Sequence, residues 1–213
     1  MPSKNIVKNY FSNIYYHLYT RGVNKRKIFK DEQDYAMFIR YLKLYLTPIK
    51  ILKKTSFLDL RIDKFIRNNL SEDVDLACFA LMPNHIHLLV KLKKQKGIEK
   101  LMRRILTGYA MYFNQKYKRV GPLFQSRYKA TAVLSDQHLT YLTRYIHRNP
   151  IKIKRTNPFE YTSYSCYLGE KEANWIRPND ILGYFSNNNP ILSYESFVED
   201  GRYGFELGDL TLE

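Results

Sequence analysis

The chain has 213 residues, a formal net charge of +15 and an isoelectric point near 9.6, and 45% of its residues are hydrophobic. This composition is typical of a globular protein with a substantial core and excludes a disordered chain. The positive charge indicates a polyanionic partner, with solubilising surface charge as the alternative. Residues 191–213 differ, since six acids against one arginine give them a net charge of −5 and leave +20 on residues 1–190.

The sequence also predicts where the protein works. No apolar run is long enough to cross a bilayer, and Met1-Pro2-Ser3-Lys4-Asn5 contains no apolar signal core, so we expect a cytoplasmic protein with no membrane partner. The two cysteines, Cys78 and Cys166, lack the number and spacing of a disulfide framework or a metal site. We expect both to be reduced and structural.

The first 72 residues predict one strand and two helices. Residues 13–20 are aromatic and β-prone and lead into the turn residues Arg21-Gly22-Val23-Asn24, which predicts a first strand. Asp31 is a suitable N-cap for a helix whose apolar residues recur at helical spacing and which ends before Pro48. A further helix is predicted around residues 57–69.

A hairpin and a second long helix follow. Residues 74–82 and 85–92 are apolar and β-prone, and Pro83-Asn84 separates them, which predicts an antiparallel hairpin. Apolar residues between Ile98 and Phe113 mark one face of a helix, and basic residues lie off that face. The apolar stripe predicts a core contact, whereas the basic residues fit either a solvated face or a phosphate track.

The remaining elements are a strand, a helix and a tail. Gly121-Pro122 breaks the chain, and residues 123–134 then predict a fourth strand. Ser135 or Asp136 can cap the next helix, which Pro150 ends.

This order of elements predicts an α+β fold. Strand, helix, strand, strand, helix, strand is a ferredoxin-like antiparallel sheet (βαββαβ), here with an added helix and a C-terminal extension. We expect one domain over residues 1–155 and an extension over residues 156–213 with an acidic end. Because this architecture hosts many activities, the fold alone does not decide function.

Two histidines in the second hairpin strand are the first chemical signal. Because strand side chains alternate between faces, His85 and His87 project from one face, while Ile86 and Leu88 point to the other. Two imidazoles at this spacing can reach one divalent cation. The alternative is a pair of ordinary half-buried histidines, so a metal site needs a third ligand and a reactive group from elsewhere.

The last turn of the helix before Pro150 can supply both. Tyr145 and Asn149 are four residues apart and share a helix face, so a phenol and an amide oxygen can both face the metal. The alternative for Tyr145 is a tyrosine packed on the sheet. By residue type alone three other tyrosines compete with it, namely Tyr109, Tyr112 and Tyr141.

Four motifs in this order resemble those of a known family. They are Tyr16-His17 leading to Thr20-Arg21-Gly22, then Met82-Pro83-Asn84-His85-Ile86-His87, then Tyr112-Phe113-Asn114, and last Tyr145 through Pro150. On these residues the chain resembles the HUH single-tyrosine transposases, the IS200-like family, and most closely their REP-associated branch. The resemblance covers about residues 12–155, and residues 48–72 form a longer connection than the family has.

The resemblance implies a metal-dependent single-stranded DNA transesterase, a transposase or nickase that cleaves and rejoins hairpin-containing DNA through a covalent 5′-phosphotyrosine. It implies Tyr145 as the catalytic nucleophile and His85 and His87 as ligands of Mg²⁺ or Mn²⁺. The third ligand is more often glutamine in the insertion-sequence branch, so Asn149 is a shorter replacement. Because that branch forms dimers that exchange tyrosine helices while the REP-associated branch can act as monomers, we expect a monomer or a homodimer.

The implied partner is single-stranded or hairpin DNA, whose bases stack on aromatic side chains and whose phosphates meet cations. Placement near the predicted site gives seven candidate DNA-binding residues, namely Arg21, Lys25, Arg26, Arg103, Arg104, Arg127 and Lys129. We expect His147, two residues from Tyr145, at the surface or facing DNA. His17 and His138 have no predicted role beyond structure.

Three other functions stay open at this point. A protein derived from a transposase could bind single-stranded or hairpin DNA without cutting it. A metal-dependent nuclease could use His85 and His87 to activate water, with Tyr145 only structural. An RNA-binding module could read bases with Tyr16 and Tyr19 exposed on the sheet.

Overall fold

Four antiparallel strands organise the computed structural model, which describes residues 9–55, 62–153, 157 and 159–200. The strands are β1 (Tyr15–Arg21), β2 (Val74–Met82), β3 (His85–Leu92) and β4 (Lys129–Val133). Their order in the sheet is β2–β3–β1–β4, with every neighbouring pair antiparallel. This is the predicted ferredoxin-like arrangement, so the α+β fold class is confirmed.

Helices cover both faces of the sheet. They are α1 (Glu32–Leu46), α2 (Ile49–Thr55), α3 (Ile62–Arg67), α4 (Gly97–Lys116), α5 (Asp136–Arg148), α6 (Tyr164–Tyr167), α7 (Asn179–Leu182) and α8 (Tyr194–Glu199), with 3-10 turns at Val23–Lys25, Asn149–Lys152 and Pro190–Leu192. In the described part of the chain, none of these helices is long and apolar enough to cross a membrane. Cys78 and Cys166 are both free thiols, as expected.

The larger core lies between one sheet face and helices α1 and α4. Leu18 of β1 and Leu88 of β3 point to this side and are fully buried, as are Phe38 of α1 and Tyr109 of α4. Because side chains alternate along a strand, the residues between these apolar ones face the other way. The main core therefore leaves the opposite face of β1 and β3 for polar residues.

A second core lies on that opposite face, under α5 and the C-terminal extension. The β2 residues there are small, namely Ala77, Cys78 and Ala80. Small side chains let a helix approach the sheet closely, and Leu142 and Ile146 of α5 fill the space above them. Helix α5 is therefore held at close range to β2 and β3.

The extension fastens α5 from its outer side. The Arg144 Nε donates to the Phe197 carbonyl at 2.6 Å, its Nη2 donates to the Asp200 carbonyl at 2.5 Å, and the Arg148 Nη1 donates to the Val198 carbonyl at 2.5 Å. These acceptors lie at the C-terminal end of α8, where backbone carbonyls lack partners within the helix. We refer to Arg144 and Arg148 as the arginine clamp.

Most predicted elements are confirmed. The first strand, the hairpin and both long helices are present close to their predicted bounds, and the Asp31 side chain accepts from the Asp34 backbone N–H as the N-cap of α1. The helix predicted at 57–69 is α3, shorter than expected, and residues 56–61 lie outside the described residues. Helix α2 is not predicted by the sequence, because its seven residues mix lysines with apolar residues without a clear apolar face.

The fourth strand is shorter than predicted, and the prediction for residues 123–128 is wrong. Only Lys129–Val133 pairs as a strand, while Phe124 makes an isolated bridge to Gly22. The Gln125 N–H still donates to the Arg21 carbonyl at 2.9 Å, so the chain touches the end of β1 there without continuing the ladder. Residues 125–127 bend away and are exposed.

Two expectations about exposure are also wrong. His147 is fully buried, with its two ring nitrogens 2.7 Å from the Tyr194 hydroxyl and 2.8 Å from the Ser163 hydroxyl, because the extension covers this side of α5. Helix spacing alone could not show that cover. Tyr16 and Tyr19 are 1% and 8% exposed, so they do not form the open aromatic sheet surface on which the RNA-binding alternative depended.

Candidate active site

Two histidines of β3 lie side by side on the sheet face that carries α5. In the antiparallel register His87 lies opposite Tyr19 and His85 opposite Arg21 of β1. The centroids of the two imidazole rings are 4.9 Å apart and the rings are nearly perpendicular, at 85°. His87 is buried and His85 is half-buried. The predicted same-face pair is therefore present, next to the C-terminal end of α5.

A third histidine lies behind His87. The Nε2 of His17, on β1, is 2.8 Å from the His87 Nδ1, and the two rings stack with centroids 5.1 Å apart. Burial lowers the pKa of His17 to about 3, and burial, more than the neighbouring positive groups, lowers the pKa of His87 well below its usual value. Both rings are therefore neutral at pH 7, and the neutral imidazole is the form that binds a metal.

His85 has a partner of its own in the hairpin turn. The Asn84 Oδ1 is 2.6 Å from the His85 Nδ1, and the Asn84 Nδ2 donates to the Lys25 carbonyl at 3.3 Å. The turn is fixed in place because the Pro83 carbonyl accepts from the Ile28 N–H at 2.7 Å. The loop after β1 thus supports the start of β3.

Helix α5 brings a tyrosine and an amide to the histidines. The Tyr145 ring meets the His87 ring edge to face, with centroids 5.7 Å apart and an angle of 88°. One turn later, Asn149 is the C-cap residue of α5, and its Nδ2 is 3.4 Å from the His87 Nε2. Ser135 caps the start of the helix by accepting from the His138 N–H. Tyr145 and Asn149 therefore share a face, and both reach a histidine of their own chain.

A cavity of about 190 Å³ opens in front of these groups. His85, His87 and Tyr145 form one side of it. Its positively charged lining consists of three predicted DNA-binding residues, Arg21, Arg127 and Lys129, and among the described residues no acidic side chain joins them. A cavity of this charge suits a phosphate group.

The other four predicted DNA-binding residues lie elsewhere. Lys25 and Arg26 are exposed in the loop after β1, beside the hairpin turn that begins β3. Arg103 and Arg104 are on α4, which packs against the opposite sheet face, and Arg104 donates to the Asn68 carbonyl and side chain. None of these four residues lines the cavity, although Lys25 is linked through its carbonyl to Asn84, the neighbour of His85.

The donor groups in the site fit a divalent cation that takes only a few of its ligands from the protein. The two imidazoles of His85 and His87 lie side by side and the Asn149 amide lies beside His87, so the remaining ligands would be oxygens from a phosphate and water. Within the described ranges, no group of three or more histidine, cysteine or carboxylate side chains is arranged to hold a metal. A metal here would therefore depend on His85, His87 and the amide of Asn149.

Sequence reasoning gave no site role to several residues around the site. Among them are His17, Tyr19, Thr20, Asn84, Gln125 and Ser126. A signal existed for His17, because it alternates with Tyr19 and Arg21 on β1 and so shares their face once β1 is paired with β3. Gln125 and Ser126 lie in the stretch wrongly predicted as a strand.

The four-stranded antiparallel sheet, with paired histidines facing a helix tyrosine, is the arrangement that the resemblance to single-tyrosine transposases led us to expect. Residues 10–149 match the family described as "Transposase IS200 like". The chain therefore belongs to this family of transposases. Among curated protein sequences, none matches this chain.

Solved structures add a comparison of fold. A REP-associated tyrosine transposase bound to a REP hairpin is similar over 82% of this chain and 92% of that chain, with 12% sequence identity and a TM-score of 0.50. A protein named as a candidate transposase from Deinococcus radiodurans R1 matches over 66% of this chain and 93% of its own, with 16% identity and a TM-score of 0.35. The first similarity supports the fold described above.

Proposed function

We propose that this transposase cleaves and rejoins single-stranded or hairpin-containing DNA through a covalent 5′-phosphotyrosine on Tyr145. The observation that carries the proposal is the contact between the Tyr145 and His87 rings within one chain. That contact lies beside a cavity with three cations. A nucleophile, metal-type donors and phosphate-binding cations are the three groups that this reaction needs.

The proposed step exchanges one phosphodiester bond for another. The Tyr145 hydroxyl gives its proton to water, its oxygen bonds to the phosphorus, and the bond from phosphorus to the 3′ oxygen breaks. The 3′ oxygen leaves and takes a proton from water, which yields a free 3′ hydroxyl and a 5′-phosphotyrosine. Attack by another 3′ hydroxyl reverses these changes and rejoins DNA without an external energy source.

The reaction also requires activation of the tyrosine and neutralisation of the phosphate charge. Free tyrosine has a pKa near 10, so the site has to favour the phenolate and offset the phosphate charge. His85, His87 and Asn149 would hold Mg²⁺ or Mn²⁺, and the ion would neutralise phosphate charge and orient the scissile phosphate. In the structure the Asn149 amide nitrogen faces His87, so ligation by Asn149 requires its amide to turn about the terminal bond.

Hairpin DNA is the substrate that the surroundings of the cavity favour. The structural neighbour is a complex with a REP hairpin. In this chain Arg21, Arg127 and Lys129 are placed to hold the strand at the cavity, and Lys25 and Arg26 extend the positive surface along the loop after β1. A folded hairpin can contact both regions, because its stem and its single-stranded flank carry separate phosphates.

The test is to incubate the protein with a pool of labelled hairpin DNAs and Mn²⁺ and to separate the products on a denaturing gel. We expect a protein-linked label that is absent with a chelator and absent in Tyr145→Phe. Tyr141→Phe is the matched control, since Tyr141 lies one turn earlier on α5 and packs on Phe197. It should keep the linked label.

Two other results would contradict the proposal. Cleavage that leaves no label on the protein, and that survives Tyr145→Phe, would make the protein a metal-dependent nuclease. Tight binding of a hairpin from the pool that is cut under no metal condition would favour a protein that binds DNA without cleaving it.

A further inference from the structure

His85 and His87 each carry a hydrogen-bond partner on the same ring atom, Nδ1. A neutral imidazole has one N–H and one lone pair, and the partner of one nitrogen decides which nitrogen keeps the lone pair. We infer that Asn84 and His17 are positioning residues that hold the proton of His85 and His87 on Nδ1 and present both Nε2 lone pairs to the site. This inference rests on the proposed function for its purpose, although its main test does not.

Asn84 sets the tautomer of His85 through the direction of its amide. Its Nδ2 donates to the Lys25 carbonyl, which is an acceptor only, so the amide oxygen must be the atom that faces His85. That oxygen is 2.6 Å from the His85 Nδ1 and cannot donate. The proton in this contact therefore belongs to His85 Nδ1, and the lone pair of His85 belongs to Nε2.

The loop after β1 keeps Asn84 in this orientation. The Asn84 carbonyl accepts from the Gly22 N–H at 2.8 Å, while the Pro83 carbonyl accepts from Ile28. A Cβ at Gly22 would collide with the Arg26 carbonyl oxygen, so only glycine allows the close turn that brings this N–H to Asn84. The hairpin turn is fixed at both of its residues.

His17 sets the tautomer of His87 from within the sheet. Both rings are almost fully buried, so adding a proton to make either ring positively charged would be costly in free energy. The 2.8 Å contact between His17 Nε2 and His87 Nδ1 therefore contains a single proton. The Asn149 amide nitrogen lies 3.4 Å from the other nitrogen of His87, which marks that Nε2 as an acceptor. The proton of the contact is therefore on His87 Nδ1, and His17 accepts it.

The two arrangements have a common effect on the site. Each histidine is fixed through its Nδ1, so its Nε2 is a preset ligand and does not have to change tautomer before metal binds. Partners of this kind typically change metal affinity by about 10-fold to 100-fold when they are removed. Their loss should therefore weaken metal binding without removing any metal ligand.

The main test is nitrogen-15 NMR of the histidine rings in the full chain, without metal and without DNA. Long-range proton–nitrogen correlations distinguish an imidazole protonated on Nδ1 from one protonated on Nε2. We expect His85 and His87 both to be protonated on Nδ1. Asn84→Ala should move His85 towards the Nε2-protonated form, whereas Asn188→Ala, at an exposed loop position, should not.

Substitutions of His17 give a rescue test. His17→Phe fills the buried space and removes the acceptor, so His87 should lose its single tautomer. His17→Gln keeps a side-chain oxygen that can accept from His87 Nδ1, so it should restore the tautomer. Thermal melting of each variant shows whether it is folded, and Asn84→Ala tests the same principle outside the core.

Mn²⁺ titration followed by electron paramagnetic resonance supplies the second readout. Asn84→Ala and His17→Phe should each raise the Mn²⁺ dissociation constant by about 10-fold or more, and His17→Gln should stay within about 3-fold of the parent protein. A His87 protonated on Nε2 in the parent protein, or unchanged Mn²⁺ affinity in both folded variants, would overturn the inference. A failed adduct assay with correct tautomers would refute the proposed function alone.

Discussion

Replacing Arg144 by alanine tests how α5, the helix that carries Tyr145, is held. Arg144 is 8% exposed, and its guanidinium donates to the Phe197 and Asp200 carbonyls at the end of α8. A hydrogen bond from a charged group contributes about 1.5–3 kcal/mol, and some of this is recovered when water reaches the released carbonyls. We therefore expect Arg144→Ala to lower the free energy of unfolding by about 3 kcal/mol.

This loss is large against the total stability of a domain, which is about 5–15 kcal/mol. Equilibrium urea unfolding measures it, with Arg103→Ala on the exposed side of α4 as the control, for which we expect a change below about 0.5 kcal/mol. Arg144→Lys should lose about half as much as alanine, because one donor group remains. If Arg144→Ala unfolds at the same urea concentration as the parent, the arginine clamp does not hold α5.

The other predictions concern charge, spacing and burial. Arg127→Ala should weaken hairpin binding and lower the slope of log affinity against log salt concentration by about 0.7–0.9. Arg103→Ala should leave both the affinity and the slope unchanged. Fluorescence anisotropy at several salt concentrations measures both quantities. Ala80→Leu should force α5 away from the sheet and lower the free energy of unfolding in urea by about 1–3 kcal/mol. It should also reduce the yield of the Tyr145–DNA adduct more than it reduces DNA affinity. Equal losses of adduct yield and of DNA affinity would contradict this. His147→Leu should cost about 2–4 kcal/mol in the same unfolding assay, because the buried Tyr194 and Ser163 hydroxyls each lose one hydrogen bond, and an unchanged midpoint would refute that role.

Local patterns were sufficient for the fold and for the central residues of the site. The alternation of His85 and His87 with apolar neighbours predicted their common face, and the four-residue spacing of Tyr145 and Asn149 predicted that both reach the same place. Periodicity works for these features because it depends only on the geometry of a single strand or helix. The roles of these residues in catalysis stay predictions.

Contacts between distant segments were beyond the same patterns. His147 lies on a helix position that spacing alone marks as outward, and it is buried because residues some 16 and 47 positions later fold over it. His17 joins the site only through the pairing of β1 with β3. Residue type and spacing carry no information about which later segment covers a given face, and the predicted division at residue 155 stays a prediction.

The arginine clamp has a consequence for how DNA ends are handled under the proposed chemistry. In this chain the helix that carries Tyr145 is tied to the chain's own C-terminal segment and meets its own His87. If Tyr145 is the nucleophile, each polypeptide holds one cut 5′ end. Excising a DNA segment, which has two ends, would require two such molecules to act on the same DNA, so protein concentration would decide between excision and simple resealing.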